Sequence, residues 1–212
     1  MMLKRFIKSE DGATMVEMAI AMTLLLTVTL GFVDFGFAFY QWNAATKAVQ
    51  VGARLASISD PVASAVTTAA PTTTPGAPVV AGAYGPFVCS YTGTTGSCSN
   101  SGNFSAAAFS RIFRGDTANT NDDACPSLAA NQRPGMCHFF PGLQRSNVVV
   151  TYTATGLGYQ TRLGGPVPTI TVSLQNVNFQ FFFLGGLLGF GNFNMPSMLS
   201  TVTGEDLKST FP

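Results

Sequence analysis

Between Met18 and Val33 the chain carries no charged residue, and an acid closes the run on either side, Glu17 before it and Asp34 after it. On a helix rising about 1.5 Å per residue those two carboxylates stand roughly 26 Å apart, close to the thickness of a hydrocarbon core. A carboxylate at the midplane of a bilayer costs roughly 2.5–3.5 kcal/mol, so the spacing favours placing each acid near one interface. Apolar character resumes in Phe35, Phe37, Phe39 and Tyr40, followed by Trp42. Aromatic rings collect at membrane–water boundaries. The stretch predicts one membrane-spanning helix.

The flanks orient it. Lys4, Arg5 and Lys8 precede the run, whereas the next bases beyond it are Lys47 and Arg54. Positive residues stay inside, so the N-terminus is expected in the cytoplasm and the C-terminal part outside. A cleaved secretory signal fits less well. The run is longer than a usual signal core, no small-x-small site closes it, and Glu10, Asp11 and Glu17 stand ahead of it.

The cysteines point to the same compartment. Cys89, Cys98, Cys125 and Cys137 all follow the run and allow three pairings. Joining neighbours would tie two short loops rich in Gly, Ser, Asn and Pro, and such bonds persist where conditions oxidise. His138, the only histidine, lies beside Cys137 without ligand spacing, so it reads as a solvated loop residue and no metal site is expected. Charged residues make up 10% of the chain against about 25% in ordinary soluble domains, and the net charge is +1. Nothing there invites nucleic acid.

Beyond the membrane, Lys47, Gln50, Arg54 and Ser57 recur at helical steps opposite Ala45, Ala48, Val49, Gly52, Leu55 and Ala56. This amphipathic pattern extends the helix through residues 13–58 and demands a cover, either the protein's own outer domain or a neighbouring subunit. Residues 59–86 read as a linker region, with Asp60-Pro61 able to start a short helix and an extended Thr, Ala, Pro and Gly-rich stretch after it. Residues 87–212 form the expected outer domain. It contains a cystine-tied loop in "CSYTGTTGSCSNSGN", a helix in "SAAAFSRIF" capped by Ser105, and strands in "NVVVTYTA", "TITVSLQNVNFQFFF" and "SMLSTVT". The acidic "DTANTNDD" lacks the glycine and closing glutamate of a calcium loop. The run "FFFLGGLLGFGNF" is short for a second span and suggests packing within the sheet's core, with membrane or subunit contact as alternatives. The fold class expected is α+β: a long N-terminal transmembrane helix continuing into a small antiparallel sheet with disulfide-tied loops.

Four elements carry a resemblance. Gly12 is followed by Ala13-Thr14-Met15-Val16-Glu17, then the apolar run, then Asp34-Phe35-Gly36, and later Gly52-Ala53-Arg54. The first resembles the processing site of type IV pilin-like precursors, and the whole resembles the TadE-like family, minor pilins of the tight-adherence (Tad, Flp pilus) machinery. Phe37 stands where that family often has a base, and the C-terminal two-thirds matches only loosely, through β-rich stretches and Glu205. The resemblance implies residues 1–12 as a leader, cleavage by a prepilin peptidase between Gly12 and Ala13, and a Glu17 that pairs with the new amino terminus of a neighbouring subunit. An acid at a helix N-terminus is also favoured by the helix dipole alone. Asp34 either meets a partner in the membrane or marks the outer interface. The partners implied are the prepilin peptidase, other pilin or pseudopilin subunits, Tad inner-membrane platform proteins and the lipid bilayer.

No catalytic constellation or cofactor motif emerges, so the chain is expected to be an enzyme's substrate rather than an enzyme. Two readings follow. One is a pilin-like subunit in the bacterial inner membrane, single-pass, with a periplasmic C-terminal domain and a possible place in the extracellular pilus. The other is a permanently anchored envelope protein whose outer domain binds a ligand or surface.

Overall fold

A computed structural model describes residues 10–69, 74–117, 122–160, 165–189, 193–204 and 207, with the backbone alone at 10, 11, 187 and 188. The basic N-terminal flank, Glu205 and the middle of "DTANTNDD" lie outside these residues. Helix α1 (Glu10–Ser57) dominates the chain. No proline occurs before Pro61, so nothing interrupts its hydrogen-bond ladder. The hydroxyls inside its apolar run bond back to the helix: Thr23 donates to Ala19 O at 3.0 Å and Thr27 to Thr23 O at 2.7 Å. They therefore add no unpaired polar group. Among the described residues one helix, Gly12–Ser57, is long and apolar enough to cross a membrane.

The chain divides into two compact units, and α1 serves both: Met1–Gln41 with Asn178–Phe193, and Trp42–Val177 with Asn194–Pro212. The second unit is built on five antiparallel strands, β1 (Phe87–Thr92), β2 (Thr95–Cys98), β3 (Val148–Thr153), β4 (Thr169–Leu174) and β5 (Leu199–Thr203). Their order across the sheet is β2-β1-β3-β4-β5. Alternation decides the inner face. Val148, Val150 and Tyr152 point into the core opposite Leu174, Val172 and Ile170, and Phe87 and Cys89 extend the face through β1.

Against that core lies the end of α1, where Ala45, Ala48, Val49, Leu55 and Ala56 are buried while Lys47, Gln50 and Arg54 face outward. The protein's own outer domain is thus the cover that the amphipathic pattern requires. Gly52 marks the tightest approach: a Cβ there would lie 2.5 Å from the sulfur of Met136. Ser57, expected on the polar face, is buried and donates to Arg54 O at 2.8 Å. Helix α2 (Ala106–Arg114) starts as expected, with Ser105 Oγ accepting from Ala108 N–H, and it buries Phe109, Ile112 and Phe113.

Several expectations change. The "CSYTGTTGSCSNSGN" stretch is the β1–β2 hairpin rather than a loop, turned at Gly93, whose φ of 64° suits glycine. The strand from Thr169 stops at Leu174 because Asn176 adopts a φ of 54°. Asp60-Pro61 starts no helix; a 3₁₀ turn begins later, at Ser64. The Thr/Ala/Pro/Gly-rich stretch is tied down beyond residue 73, with Val79 N–H donating to Gly158 O and Gln160 N–H to Ala77 O. The Phe/Gly-rich run belongs to the unit that holds the apolar part of α1, not to the core of the sheet.

Candidate functional site

Asp34 stands at the end of the charge-free run, yet it is fully buried. Phe182, Phe183 and Leu184 meet it there. The Asp34 carboxylate accepts the backbone N–H groups of Phe182 at 3.0 Å, Phe183 at 2.9 Å and Leu184 at 2.6 Å. Those groups lead into the short helix α4 (Leu184–Leu188). The first N–H groups of a helix have no intrahelical acceptor, and a carboxylate is the strongest cap for them. Asp34 thus holds a distant segment of its own chain.

Two neighbours on the same stripe complete the clasp. Gln41 donates from Nε2 to Gln180 O at 2.9 Å and accepts from Gln180 N–H at 3.0 Å, matching both backbone groups of one residue. Between them Phe37 meets the ring of Phe182, with centroids 4.7 Å apart. Asp34, Phe37 and Gln41 follow three- and four-residue steps, which places them on one helical face. Sequence reasoning passed over Gln41. Its spacing from Asp34 was the available signal.

The other residues singled out at this end of the chain make no such contact. Gly12 and Ala13 lie in the first turn of α1, and Glu17 is exposed on it. The salt bridges among the described residues do not include Glu17. At Gly31 and Gly36 an added Cβ would meet nothing within 4 Å, so neither serves a close approach within the chain.

In the other unit the cysteines pair as neighbours, Cys89 with Cys98 and Cys125 with Cys137. Cys89 and Cys98 are direct partners in the β1–β2 register, with Cα atoms 4.1 Å apart. His138 is not a solvated loop residue. It sits half-buried in helix α3 (Met136–Phe139), with Nδ1 accepting from Gly135 N–H at 3.1 Å and Nε2 within 2.9 Å of Pro126 O. Those partners call for the Nε2–H tautomer. His138, Cys125 and Cys137 lie together, but both sulfurs are in the disulfide and both ring nitrogens are engaged. An open hollow of about 550 Å³ beside them, lined by Asp123, Pro126, Pro141 and Leu143 among others, offers no convergent ligand set.

The acidic stretch holds arginines. Asp122 pairs with the buried Arg114 at 2.6 Å, Asp123 with the buried Arg145 at 3.1 Å, and Asp116 with Arg133 at 3.0 Å. Arg145 also lies over the Tyr91 ring, 4.4 Å from its centroid. Burial pulls the Arg114 guanidinium below its ordinary value, opposed by the Asp122 charge, and the Arg133 hydrogen bond holds Asp116 below the usual carboxylate range. A buried charge left without its partner is costly, so the Arg114 and Arg145 pairs hold Asp122 and Asp123 to the domain.

Among these arrangements the clasp on α1 is the one that joins polar groups to a membrane-type helix. Residues 12–54 match the family model for TadE-like protein. The match relates the chain, through α1, to the Tad pilus systems. No curated protein and no solved structure matches the chain.

Proposed function

We propose that this chain is a pilin-like structural subunit of a Tad/Flp pilus assembly system. It is made with a short basic leader, cut by a prepilin peptidase after Gly12, and inserted or held at the pilus through α1. The observation that carries this reading is the TadE-like match that begins at Gly12, with Glu17 exposed on the helix five residues later. On this reading the chain is a substrate and not an enzyme. The N-terminus is cytoplasmic, the disulfide-bonded unit is periplasmic, and its partners are the peptidase, other pilin-like subunits and the Tad platform.

Cleavage after Gly12 leaves Ala13 as the new amino terminus and Glu17 as the fifth residue. A carboxylate near apolar surroundings is stabilised by a nearby cation, and the amino terminus of an adjacent subunit supplies one. The deciding experiment reads the N-terminal residue of the protein isolated from bacterial membranes, with and without the prepilin peptidase. Ala13 appearing only when the peptidase is present supports the proposal. An intact Met1 or Met2 in both samples overturns it in favour of a permanently anchored envelope protein.

A further inference from the structure

We infer that the segment 178–189, with Phe193, is a second membrane element, an aromatic wedge seated in the outer lipid interface beside α1. The inference rests on the reading of α1 as a spanning helix.

The first observation is level. Asp34 closes the charge-free run of α1, so backbone groups hydrogen-bonded to it sit where that run ends. Phe182, Phe183 and Leu184 are therefore fixed at the depth where aromatic rings prefer to lie.

The second observation is an inversion of polarity. A loop in water turns its apolar side chains inward and its polar groups outward. Here the polar groups turn inward: three backbone N–H groups end on Asp34, and both backbone groups of Gln180 end on Gln41. Three of its phenylalanines turn outward, Phe182 at 62%, Phe183 at 42% and Phe193 at 53% exposure, while Phe179 and Phe181 are half-buried. Irregular backbone is tolerated near hydrocarbon only when the protein satisfies its hydrogen bonds. Asp34 and Gln41 do that for this segment.

The third observation is continuity and composition. No charged residue occurs from Leu163 to Gly204. Phe182 meets Phe37 on α1, a helix whose surface at this end is itself apolar, with Phe35, Phe39 and Tyr40 exposed. A patch made for another protein carries a polar rim, whereas a chargeless aromatic patch continuous with a membrane helix suits lipid.

The test places tryptophan probes in the full chain reconstituted into phosphatidylcholine vesicles. Trp42 is the only tryptophan, so a Trp42→Phe background is silent. Phe182→Trp and Phe183→Trp are compared with Leu25→Trp, which lies mid-run on α1. Lipids brominated near the headgroup end of the acyl chains are expected to quench the two segment probes more than lipids brominated near the chain ends, with the order reversed for Leu25→Trp. Quenching of Leu25→Trp with neither segment probe responding overturns the inference. Aqueous iodide then tells whether the segment faces water or is shielded by another subunit. Failure of all three probes to respond overturns the spanning helix and the wedge with it. Phe183→Trp serves as the second variant should loss of the Phe37 contact disturb Phe182→Trp.

Discussion

The carboxylate of Asp34 accepts the backbone N–H of Phe182 at 3.0 Å across 148 residues of sequence. With Phe183 and Leu184 on the same carboxylate, one side chain of α1 caps the start of α4. Hydrogen bonds to a charged group contribute about 1.5–3 kcal/mol each when the alternative is an unmade bond. Asp34→Ala is expected to release the segment, speeding hydrogen exchange at Phe182, Phe183 and Leu184 by roughly 10- to 100-fold. Asp34→Asn should give much of the same loss, because an amide turns a donor toward donors. Unchanged exchange in both variants would mean that the segment is held without the carboxylate.

Where residues 115 and 135 cross, no side chain fits. A Cβ on Gly115 would lie 2.0 Å from Arg133 O, and one on Gly135 would lie 2.3 Å from Gly115 N. Gly115 also adopts a φ of 71°. Gly115→Ala and Gly135→Ala should each destabilise the disulfide-bonded unit by more than about 3 kcal/mol, at the severe end of single substitutions. Thermal unfolding of each variant checks this. Gly36→Ala is the contrast, with an added Cβ meeting nothing within 4 Å, and should leave the same transition in place.

The two disulfides differ in what remains when they are removed. Cys89 and Cys98 already face each other in a hairpin, whereas Cys125–Cys137 closes a stretch with no strand pairing of its own. Replacing Cys125 and Cys137 together by Ser should lower stability by about 2–4 kcal/mol. The matching change at Cys89 and Cys98 should cost less. Denaturant unfolding of the two double variants gives the order.

Asp116 supplies a pH dependence whose sign is fixed. The hydrogen bond from Arg133 lowers its folded pKa, so the pair contributes above the ordinary carboxylate value, about 3.9, and is lost as pH falls through the folded value. Arg133 is half exposed, so solvent limits the contribution to about 0.5 kcal/mol. Asp116→Asn should therefore lower stability by about that much near neutrality, with the difference between the two proteins vanishing as pH falls below ~4. Acid titrations of the two proteins, followed by circular dichroism, make the comparison.

Glu17→Ala bears on assembly. The variant should be cleaved after Gly12 at close to the normal extent, yet its incorporation into pili should fall. Cleavage read by N-terminal sequencing and incorporation read from sheared pili separate the two steps. Normal incorporation would remove the paired-carboxylate role.

Much of this architecture could be read from local pattern. The long helix follows from the charge-free run and the Ala/Val/Leu stripe beyond it, the Ser105 cap from one residue before an alanine run, and β3 from alternating β-branched residues. What escaped was of two kinds. The β1–β2 hairpin is made largely of Ser, Thr and Gly, whose period is faint, and only Gly93 marks its turn. The clasp has no local trace, because Asp34 and Gln41 meet backbone groups whose positions depend on how the chain returns more than 130 residues later. The setting of His138 has no local trace for the same reason: its partner Pro126 is brought near by a disulfide that sequence can only suggest.

The chain leaves for the Phe-rich segment and comes back through nearly one point. Met195 N–H donates to Val177 O at 2.7 Å, and Phe179 N–H to Phe193 O at 2.8 Å. Because the two ends are already joined, the length between them enters the stability only through the slowly rising entropy of loop closure. The segment is expected to act as an exchangeable cartridge, a longer, shorter or differently decorated insert leaving the β4–β5 register in place. On the wedge reading, retuning such a protein to a thicker or thinner bilayer takes changes in one short interval, together with the two side chains on α1 that receive it.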